Sequence, residues 1–356
     1  MPRNASFTSK VVVVTGAAAG VGRAVATRFA QHGAKVGLIS RDRAALEALA
    51  DELRAAGAEQ TAIAPLDVSN SDAVFAAADQ FARELGPIDV WVNDAMLTVF
   101  SSVSEIEPEE FRRVTEVTYL GVVYGSMAAL KHMRMQARGQ IINIGSALAY
   151  RGIPLQSAYC GAKHAIRGFT ASLRTELEHD DSPVIVSILE LPAMNTPQFD
   201  WARTHRAHQP KPMGTIYQPE AAAEAVLRAA RTGAPEYWVG TSTLLTIVGN
   251  MIAPEFMDWF LARTAVSGQD TKRLVQPERR DNLAEPVTDL HRTRGSFDDG
   301  AKNHAAVYPG AATRAAIVGT GAAVFFALGL LAAPKPNRPP RAAYWLTRRG
   351  GRKILR

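Results

Sequence analysis

The sequence contains one cysteine, and this scarcity excludes several kinds of chemistry. A single thiol cannot close an internal disulfide, which fits a reducing compartment. The chain also has no cluster of cysteines and histidines at the spacing of a zinc site, so we expect no metal. Cys160 itself stands among small residues in a helical pattern, and we interpret it as a packed side chain rather than a nucleophile.

No signal peptide is expected either, because the first ten residues run directly into a β-branched apolar stretch. We therefore expect the folded body to stay in the cytoplasm. That body has no excess of basic charge. The net charge is +6, but residues 334–356 carry eight Lys or Arg and no acid, which leaves the remainder slightly negative. Binding of nucleic acid by the body is therefore not expected.

Short apolar runs alternate with helical patterns along the first 240 residues. The run at 11–14 is β-branched throughout, as in a strand buried on both faces of a parallel sheet. Comparable runs stand at 35–40, 61–66, 88–93, 140–145, 183–190 and 236–239, with helical patterns at 43–56, 71–85, 109–136, 159–180 and 219–232. The alternation predicts an α/β fold, a Rossmann-like doubly wound parallel sheet of about seven strands, with ligand at their carboxyl ends. We assign residues 8–262 to this domain.

A glycine-rich turn joins the first predicted strand to the first helix. It reads Thr15-Gly16-Ala-Ala-Ala-Gly20-Val21-Gly22, a G-x-x-x-G-x-G spacing rather than the commoner G-x-G-x-x-G. Such a turn lets the backbone approach a pyrophosphate at a helix N-terminus. We therefore predict that Thr15, Gly16, Gly20, Val21 and Gly22 bind a dinucleotide; the alternative is a simple tight connection.

Polar side chains follow other predicted strands. Arg41 stands after the second strand, which faces the adenosine ribose in a dinucleotide fold, and an arginine there suits a 2′-phosphate. It therefore favours NADP(H) over NAD(H), with a solvated arginine at a helix start as the alternative. The other strand-end residues expected at the cofactor are Asp67 and Val68, near the adenine, and Asn93 and Ala95, after the fourth strand.

Ser146 ends the fifth predicted strand, and Tyr159 and Lys163 follow it on a predicted helix. Their i, i+4 spacing puts the phenol and the ammonium on one helix face, one turn apart. Free tyrosine has a pKa of about 10, and bringing that pKa near neutrality requires about 4 kcal/mol. A lysine together with the positive charge of a cofactor can supply this, while Ser146 holds the substrate oxygen. Taken alone, such a pair is typical of ordinary neighbours on a helix surface.

With these motifs in this order, the sequence resembles the short-chain dehydrogenase/reductase family from about residue 9 to residue 240. The motifs are Thr15–Gly22, Asp67, Asn93–Met96, Ser146, Tyr159-x-x-x-Lys163 and Pro192…Thr196. The resemblance implies that Tyr159 is the general acid/base, and that Lys163 lowers its pKa and binds the nicotinamide ribose. It also implies that Ser146 orients the substrate oxygen, and that Pro192 and Thr196 adjoin the cofactor, with Thr196 at the carboxamide. Members of the family commonly form oligomers, through the helices here at 109–136 and 159–179, so a homo-oligomer is a further expectation.

Two positions depart from the family pattern. Met96 replaces a glycine and puts bulk beside the cofactor channel. Thr118, in the run 117–121, replaces an asparagine that supports a water beside the lysine. Because a threonine can still form hydrogen bonds, we keep Thr118 among the catalytic candidates and expect an altered proton relay.

The C-terminal third lies beyond this resemblance. Residues 198–218 lack periodicity and are long for a loop, which predicts a lid over the substrate. Apolar runs at 243–252 and 254–262 predict two helices on the substrate side, either packed on the core or touching a membrane surface. Residues 263–314 turn polar with mixed charges, which predicts a flexible linker.

Residues 315–333 contain no charged side chain. As a helix they would measure about 28 Å, against about 30 Å for the hydrocarbon core of a bilayer. This predicts a membrane-spanning helix, with a packed or surface-lying helix as the alternative. The basic tail at 334–356 would then bind anionic lipid head groups. The expected location is the membrane, with the catalytic domain in the cytoplasm.

Together these patterns predict an enzyme that transfers a hydride between NADP(H) and an alcohol or carbonyl substrate, with Tyr159 exchanging the proton. The predicted membrane helix suggests that this substrate is lipophilic. The alternative is a membrane-attached cofactor-binding sensor or scaffold on the same fold, without turnover. Met96 and Thr118 favour that alternative, whereas Ser146, Tyr159 and Lys163 oppose it.

Overall fold

The computed structural model describes residues 7–332, apart from the side chains of residues 327 and 329–332, and is built on one eight-stranded sheet. The strands of this sheet are β1 (Val11–Thr15), β2 (Lys35–Ser40), β3 (Gln60–Pro65), β4 (Ile88–Asn93), β5 (Gln140–Ser146), β6 (Ile185–Leu191), β7 (Glu236–Val239) and β8 (Val307–Pro309). Their order in space is β8-β7-β6-β5-β4-β1-β2-β3. Seven strands pair in parallel, and β8 runs antiparallel to β7 at one edge. The predicted doubly wound parallel sheet is therefore confirmed, with one antiparallel strand added.

Helices alternate with these strands and follow them along the chain. They are α1 (Gly20–Ala30), α2 (Arg43–Ala55), α3 (Ser71–Glu84), α4 (Pro108–Thr115), α5 (Gly121–Met135), α6 (Ser157–His179), α7 (Pro219–Thr232), α8 (Thr241–Ile252), α9 (Pro254–Gly268) and α10 (Gly310–Ala332). The alternation of side chains in β1 shows why two layers are needed. Val12 and Val14 enter the core beneath α1, α2 and α7, whereas Val11 and Val13 enter the core beneath α3 and α5.

The long central helix predicted at 109–136 is interrupted. A π-helical turn at Glu116–Leu120 separates α4 from α5. The helix passes so close to the loop after β3 that a Cβ on Gly121 would lie 2.7 Å from Cγ2 of Val68. The wider turn and the glycine both occur at this close approach, which depends on tertiary packing and is not visible in the local sequence.

The segment predicted as a lid, 198–218, has short elements of its own. It contains a one-turn helix at Gln198–Trp201 and strands at Arg203–Thr204, His208–Pro210 and Ile216–Tyr217. These strands pair with Val99–Phe100, with Asp270–Leu274, and with both Ala193–Met194 and Ala301–Lys302. The segment is therefore fastened to the body at three places.

Residues 263–314, predicted to be a flexible linker, differ from that expectation. They contain the end of α9, the strand Asp270–Leu274, 3-10 turns at Thr288–Leu290 and Asp298–Gly300, the strand Ala301–Lys302, and β8. Several of their charges are partnered with the body: Asp281 accepts from Arg203 at 2.9 Å, and Asp270 accepts from Arg206 at 2.8 Å. Leu283 and Val287 are 5% and 4% exposed. Composition predicted disorder because it does not show which charges find partners.

The predicted membrane-spanning helix at 315–333 corresponds to most of α10, and the chain divides after Thr313 into two compact units. Within residues 7–332, however, no helix combines the length and the apolar character that a membrane crossing requires. The membrane helix, and with it the membrane as a partner, is therefore not supported. Alanine, glycine and threonine fill many positions of α10 and contribute little to insertion. The basic tail at 334–356 lies outside the described residues.

Candidate active site

A cavity of about 460 Å³ lies at the carboxyl ends of the parallel strands. Parallel strands bring all their carboxyl ends to one edge, so residues far apart in sequence meet there. Of the predicted site residues, the cavity is lined by Gly16, Gly20, Val21, Arg41, Asp67, Val68, Ala95, Ser146, Tyr159, Lys163, Pro192 and Thr196. Met96, the first departure from the family pattern, lines it as well.

Two predicted cofactor residues, Thr15 and Asn93, lie behind this wall instead. The Thr15 hydroxyl accepts from the backbone N–H of Asp94 at 3.0 Å and of Ala95 at 3.2 Å, and so fixes the loop after β4. Asn93 is buried, and its amide donates to Asn143 at 2.9 Å. Both residues shape the loop that reaches the cavity without lining it.

The glycine turn is shaped for a close approach of backbones. Gly16 has φ +69°, and a Cβ there would lie 2.9 Å from Cα of Ala95. Gly20 has φ +59°, and its Cβ would lie 3.1 Å from Cγ2 of Thr196 across the cleft. Gly22 is packed against the carbonyl of Gly16 and does not line the cavity. Side chains at Gly16 and Gly20 would narrow the cleft, so the turn fits the cradle of a pyrophosphate at the start of α1.

Ser146, Tyr159 and Lys163 meet at the other end of the cavity. Ser146 ends β5, and its hydroxyl accepts from the N–H of Leu148 at 3.1 Å. Tyr159 and Lys163 lie in the first two turns of α6, with Nζ of Lys163 5.5 Å from the centre of the Tyr159 ring. Nζ donates to the carbonyl of Ile144 at 2.7 Å, which holds the lysine against β5. The spacing in sequence thus becomes one proton-handling cluster.

Burial governs the titration of this cluster. It raises the pKa of the Tyr159 phenol above its ordinary value, and a hydrogen bond with Ser146 opposes the shift only in part. Burial likewise lowers the pKa of Lys163 to about 8, against the opposing charges of Asp94 and Glu190. The protein by itself therefore keeps the phenol protonated, which is the form that donates a proton to a carbonyl oxygen.

Two acids near the cluster were not among the predicted site residues. Asp94 lines the cavity, and burial raises the pKa of its carboxyl to about 7, against the charge of Lys163. Glu190 lies in β6 behind Ser146, and burial raises the pKa of its carboxyl to about 8, with Glu236 adding to the shift. The signal for Glu190 was a charged residue inside an apolar strand. The signal for Asp94 was its place in the Asn93–Met96 motif.

Thr118 lies elsewhere than its predicted role requires. Its hydroxyl accepts from the N–H of Leu97 at 2.9 Å and donates to the carbonyl of Leu97 at 3.0 Å. The residue is fully buried in the π-helical turn and does not line the cavity. Its hydrogen-bonding capacity is directed to the loop after β4 rather than to Lys163.

Guanidinium groups lie at the end of the cavity near Arg41 and Asp67, which we call the adenosine end because the sequence predicts the adenosine there. Arg41 donates to the carbonyl of Asn282 at 2.6 Å and of Ala284 at 2.8 Å, and burial lowers the pKa of its guanidinium. Asp67 is ion-paired with Arg113. Burial alone would raise the pKa of Asp67, but hydrogen bonds from Arg113 and Ser69 outweigh it and lower that pKa. The carboxyl of Asp67 therefore stays ionised over the ordinary range of pH.

The part of the cavity lined by Phe100, Phe199 and α9, here called the substrate end, is mainly apolar. The residues that line it there come from the loop after β4, the loops around β5, the one-turn helix and α9: Phe100, Leu148, Ile153, Phe199, Met257, Phe260 and Leu261. The rings of Phe100 and Phe199 pack with centroids 5.9 Å apart. Cys160 is buried near this region, and burial raises the pKa of its thiol to about 11. This agrees with a packed side chain rather than a nucleophile. Within residues 7–332 no cluster of potential metal ligands occurs.

Comparisons with known proteins agree with this geometry. A family model described as short chain dehydrogenase matches residues 10–207. An uncharacterized oxidoreductase of Bacillus subtilis, YxnA, is 31% identical over 284 residues, which cover 79% of this chain and 80% of the relative. A putative oxidoreductase of Mycobacterium tuberculosis, SadH, is 37% identical over 182 residues, or 51% of this chain and 66% of the relative.

Two solved structures share the fold. A metagenomic short-chain oxidoreductase in complex with NADP has a TM-score of 0.55 and 27% identity, covering 65% of this chain and 97% of that one. An alcohol dehydrogenase from Thermococcus sibiricus complexed with 5-hydroxy-NADP has a TM-score of 0.57 and 27% identity, covering 64% of this chain and 95% of that one. In both, the shared part covers about two thirds of this chain and nearly all of the other.

Proposed function

Because the chain belongs to the short-chain dehydrogenase family, we propose that it transfers a hydride between NADP(H) and an alcohol or carbonyl substrate, with Tyr159 as general acid/base. The observation that carries this proposal is the meeting of Ser146, Tyr159 and Lys163 in the same cavity as the glycine turn. A cofactor that spans the cavity would bring its reactive end to the phenol. Neither group of residues alone would support the reaction.

The residues present fit a dinucleotide phosphate. Gly16, Gly20 and Val21 would hold the pyrophosphate, and Asp67 with Val68 would adjoin the adenine. Arg41, at the end of β2, supports a 2′-phosphate, as do the NADP-type ligands of the two similar structures. When bound, the nicotinamide ring gives or receives the hydride.

The chain's own residues move the proton. In the direction of reduction, the substrate carbon gains the hydride while the phenol of Tyr159 gives its proton to the carbonyl oxygen. Ser146, at the end of β5, hydrogen-bonds that oxygen and holds it beside the phenol. The ammonium of Lys163 then stabilises the phenolate that remains, because no water competes in a buried site.

A lipophilic substrate is supported by the lining of the cavity rather than by the C-terminal segment. Aromatic and aliphatic side chains predominate at the substrate end, and although polar residues such as Arg151, Gln156 and Thr246 also line the cavity, a sugar would regain only part of its hydration there. We therefore propose ketones or alcohols with extended hydrocarbon parts. Faster turnover of small polar sugars than of such ketones would contradict this part.

The test is NADPH oxidation by the purified full chain over a panel of carbonyl compounds, with Tyr159→Phe alongside. Loss of the phenolic hydroxyl is expected to lower kcat by about 10²–10⁴-fold while NADPH binding, followed by fluorescence, is retained. Tyr308→Phe is the matched control, because it removes the same hydroxyl from β8 at the sheet edge, away from the cavity. Full turnover by Tyr159→Phe would contradict the proposal.

One observation favours a second candidate, a cofactor-binding sensor or scaffold without turnover. Thr118 is engaged with the backbone of Leu97, and Met96 occupies part of the cavity wall. The same assay separates the two candidates. NADPH binding without oxidation in both the wild type and Tyr159→Phe would support the sensor.

A further inference from the structure

Residues 281–295, here called the strap, run across the cofactor side of the cavity. The strap is fastened at its start, where Asp281 accepts from Arg203 at 2.9 Å and the N–H of Asn282 donates to the carbonyl of Trp201 at 3.0 Å. Leu283 is 5% exposed and packs in the core cluster that contains Val68. The strap is therefore docked on the body rather than lying free over it.

Its first contacts lie at the adenosine end. Arg41 donates to the carbonyls of Asn282 and Ala284, and Arg113 donates to the carbonyl of Leu283 at 3.1 Å. Both guanidinium groups also neighbour Asp67, the residue predicted to adjoin the adenine. The strap thus orients the two arginines that stand at the ribose and the adenine.

Its later contacts follow the path from the ribose to the nicotinamide. Nε2 of His291 lies 3.0 Å from a carboxylate oxygen of Asp42, just after β2. The N–H of Gly20, in the glycine turn, donates to the carbonyl of Arg292 at 3.0 Å. The N–H of Gly295 donates to the carbonyl of Asn195 at 3.0 Å, and a Cβ on Gly295 would lie 2.4 Å from the carbonyl oxygen of Thr196. The strap therefore contacts the residue after β2, the glycine turn and the segment at Thr196, in that order.

The cavity remains open beneath these contacts. Asn282, Pro286, Val287 and His291 line it from the strap, opposite the strand ends that line it from below. A segment that filled the site would leave no such space between the two sides. The strap is therefore a wall of the cavity and not its occupant.

We propose that the strap roofs the cofactor, so that a nicotinamide dinucleotide is held between residues 281–295 and the strand ends and leaves only when the strap loosens. This inference rests on the proposed function. Its consequence is slow release of the cofactor, because several spaced contacts must open together. Residues of the C-terminal third, outside the part matched by the family model, thereby become part of the cofactor site.

The experiment measures release of NADPH from the full chain by stopped-flow fluorescence, with excess NADP⁺ as the displacing ligand. His291→Ala removes the tie to Asp42, and Leu283→Ala removes packing beneath the strap. Each is expected to speed release at least roughly tenfold, with a proportional rise in Kd, since affinity changes within one site arise mostly from dissociation. Arg134→Ala, which breaks a surface ion pair with Asp180, is the control and leaves release unchanged.

Limited trypsin digestion gives an independent readout that does not depend on a variant folding. Arg292 and Arg294 lie in the strap, so NADPH is expected to slow cleavage after them in the wild type. Faster cleavage of the strap with NADPH, or tighter NADPH binding by His291→Ala, would contradict the proposal that the strap roofs the cofactor. Either result would show instead that the strap competes with the cofactor. Unchanged release in both variants would overturn the proposal as well. If the wild type bound no nicotinamide cofactor, the proposed function would fail too, whereas normal binding with unchanged release would remove the roof alone.

Discussion

The two ends of the cavity are built from different kinds of interaction. At the end where Ser146, Tyr159 and Lys163 meet, here called the proton-transfer end, Lys163 and Glu190 are buried. Burial moves the pKa of each to about 8. At the adenosine end, Asp67 is paired with Arg113 and its pKa is lowered, while Arg41 is bound to backbone carbonyls. One end holds groups that titrate near neutrality, whereas at the other the carboxyl of Asp67 stays ionised. We infer that the dependence of this protein on pH originates at the proton-transfer end.

The substitution Glu190→Gln removes a titrating carboxyl from the proton-transfer end, and its largest expected effect is on the free energy of unfolding. The raised pKa means that the folded state binds the Glu190 proton more tightly than the unfolded state does. The contribution of Glu190 to stability is therefore fully present below about pH 4.5, the unfolded value, and is lost as the pH rises through about 8. Glutamine carries no charge, so we expect its free energy of unfolding to exceed that of the wild type by on the order of 2 kcal/mol at pH 9.

The measurement is chemical unfolding of wild type and Glu190→Gln at pH 5 and pH 9. The difference should be much smaller at pH 5, where the wild-type carboxyl is mostly protonated. Glu178→Gln, an exposed position on α6, serves as the control and should show no such dependence. A difference of equal size at both pH values would mean that the Glu190 carboxyl is not buried as a titrating group.

The substitution Arg41→Ala removes a guanidinium group from the adenosine end. A charge-assisted hydrogen bond to a 2′-phosphate contributes about 1.5–3 kcal/mol, so Kd for NADPH is expected to rise about 10–100-fold. Kd for NADH, which lacks that phosphate, should rise less than about threefold. Both constants can be measured by fluorescence titration, with Arg43→Ala as the control because Arg43 is exposed at the start of α2. Equal weakening for both cofactors would show that Arg41 acts only by holding the strap.

The substitution Thr118→Val tests the π-helical turn between α4 and α5, and it has the smallest expected effect. Loss of the two hydrogen bonds to Leu97 should lower the free energy of unfolding by about 1–2 kcal/mol. Because the hydroxyl does not reach the cavity, kcat should stay within about threefold of wild type. Thr175→Val, on the exposed face of α6, controls for the substitution itself. A fall of kcat beyond about tenfold, with cofactor binding retained, would return Thr118 to the proton relay.

The parts of the fold that depend on local patterns were predictable from the sequence. The run at 11–14 became β1, because a fully apolar β-branched stretch has few alternatives to a buried parallel strand, and the mainly apolar run at 35–40 became β2. Tyr159 and Lys163 met for the same kind of reason, since i and i+4 share a helix face. Local geometry alone fixes both relations.

The parts that depend on distant contacts were not predictable. The π-helical turn at Glu116–Leu120 adjoins Val68 through tertiary packing, and the strap's polar residues look like linker until Arg41 and Asp42 are known to be their partners. The buried acids belong to the same class. Asp94 and Glu190 are ordinary carboxylates in sequence, and only their enclosure raises their pKa.

The short strand β8 has a consequence for self-association. An open sheet exposes the unpaired backbone groups of its last strand, which can template pairing with another chain. Here β8 occupies that position on β7, covers it antiparallel over three residue pairs, and ends at Pro309, which has no N–H to offer. Continuous sheet formation between two copies through this edge is therefore disfavoured. Assembly through this edge would have to be built from side-chain packing, which mutations can tune, rather than from backbone pairing, which they cannot easily remove.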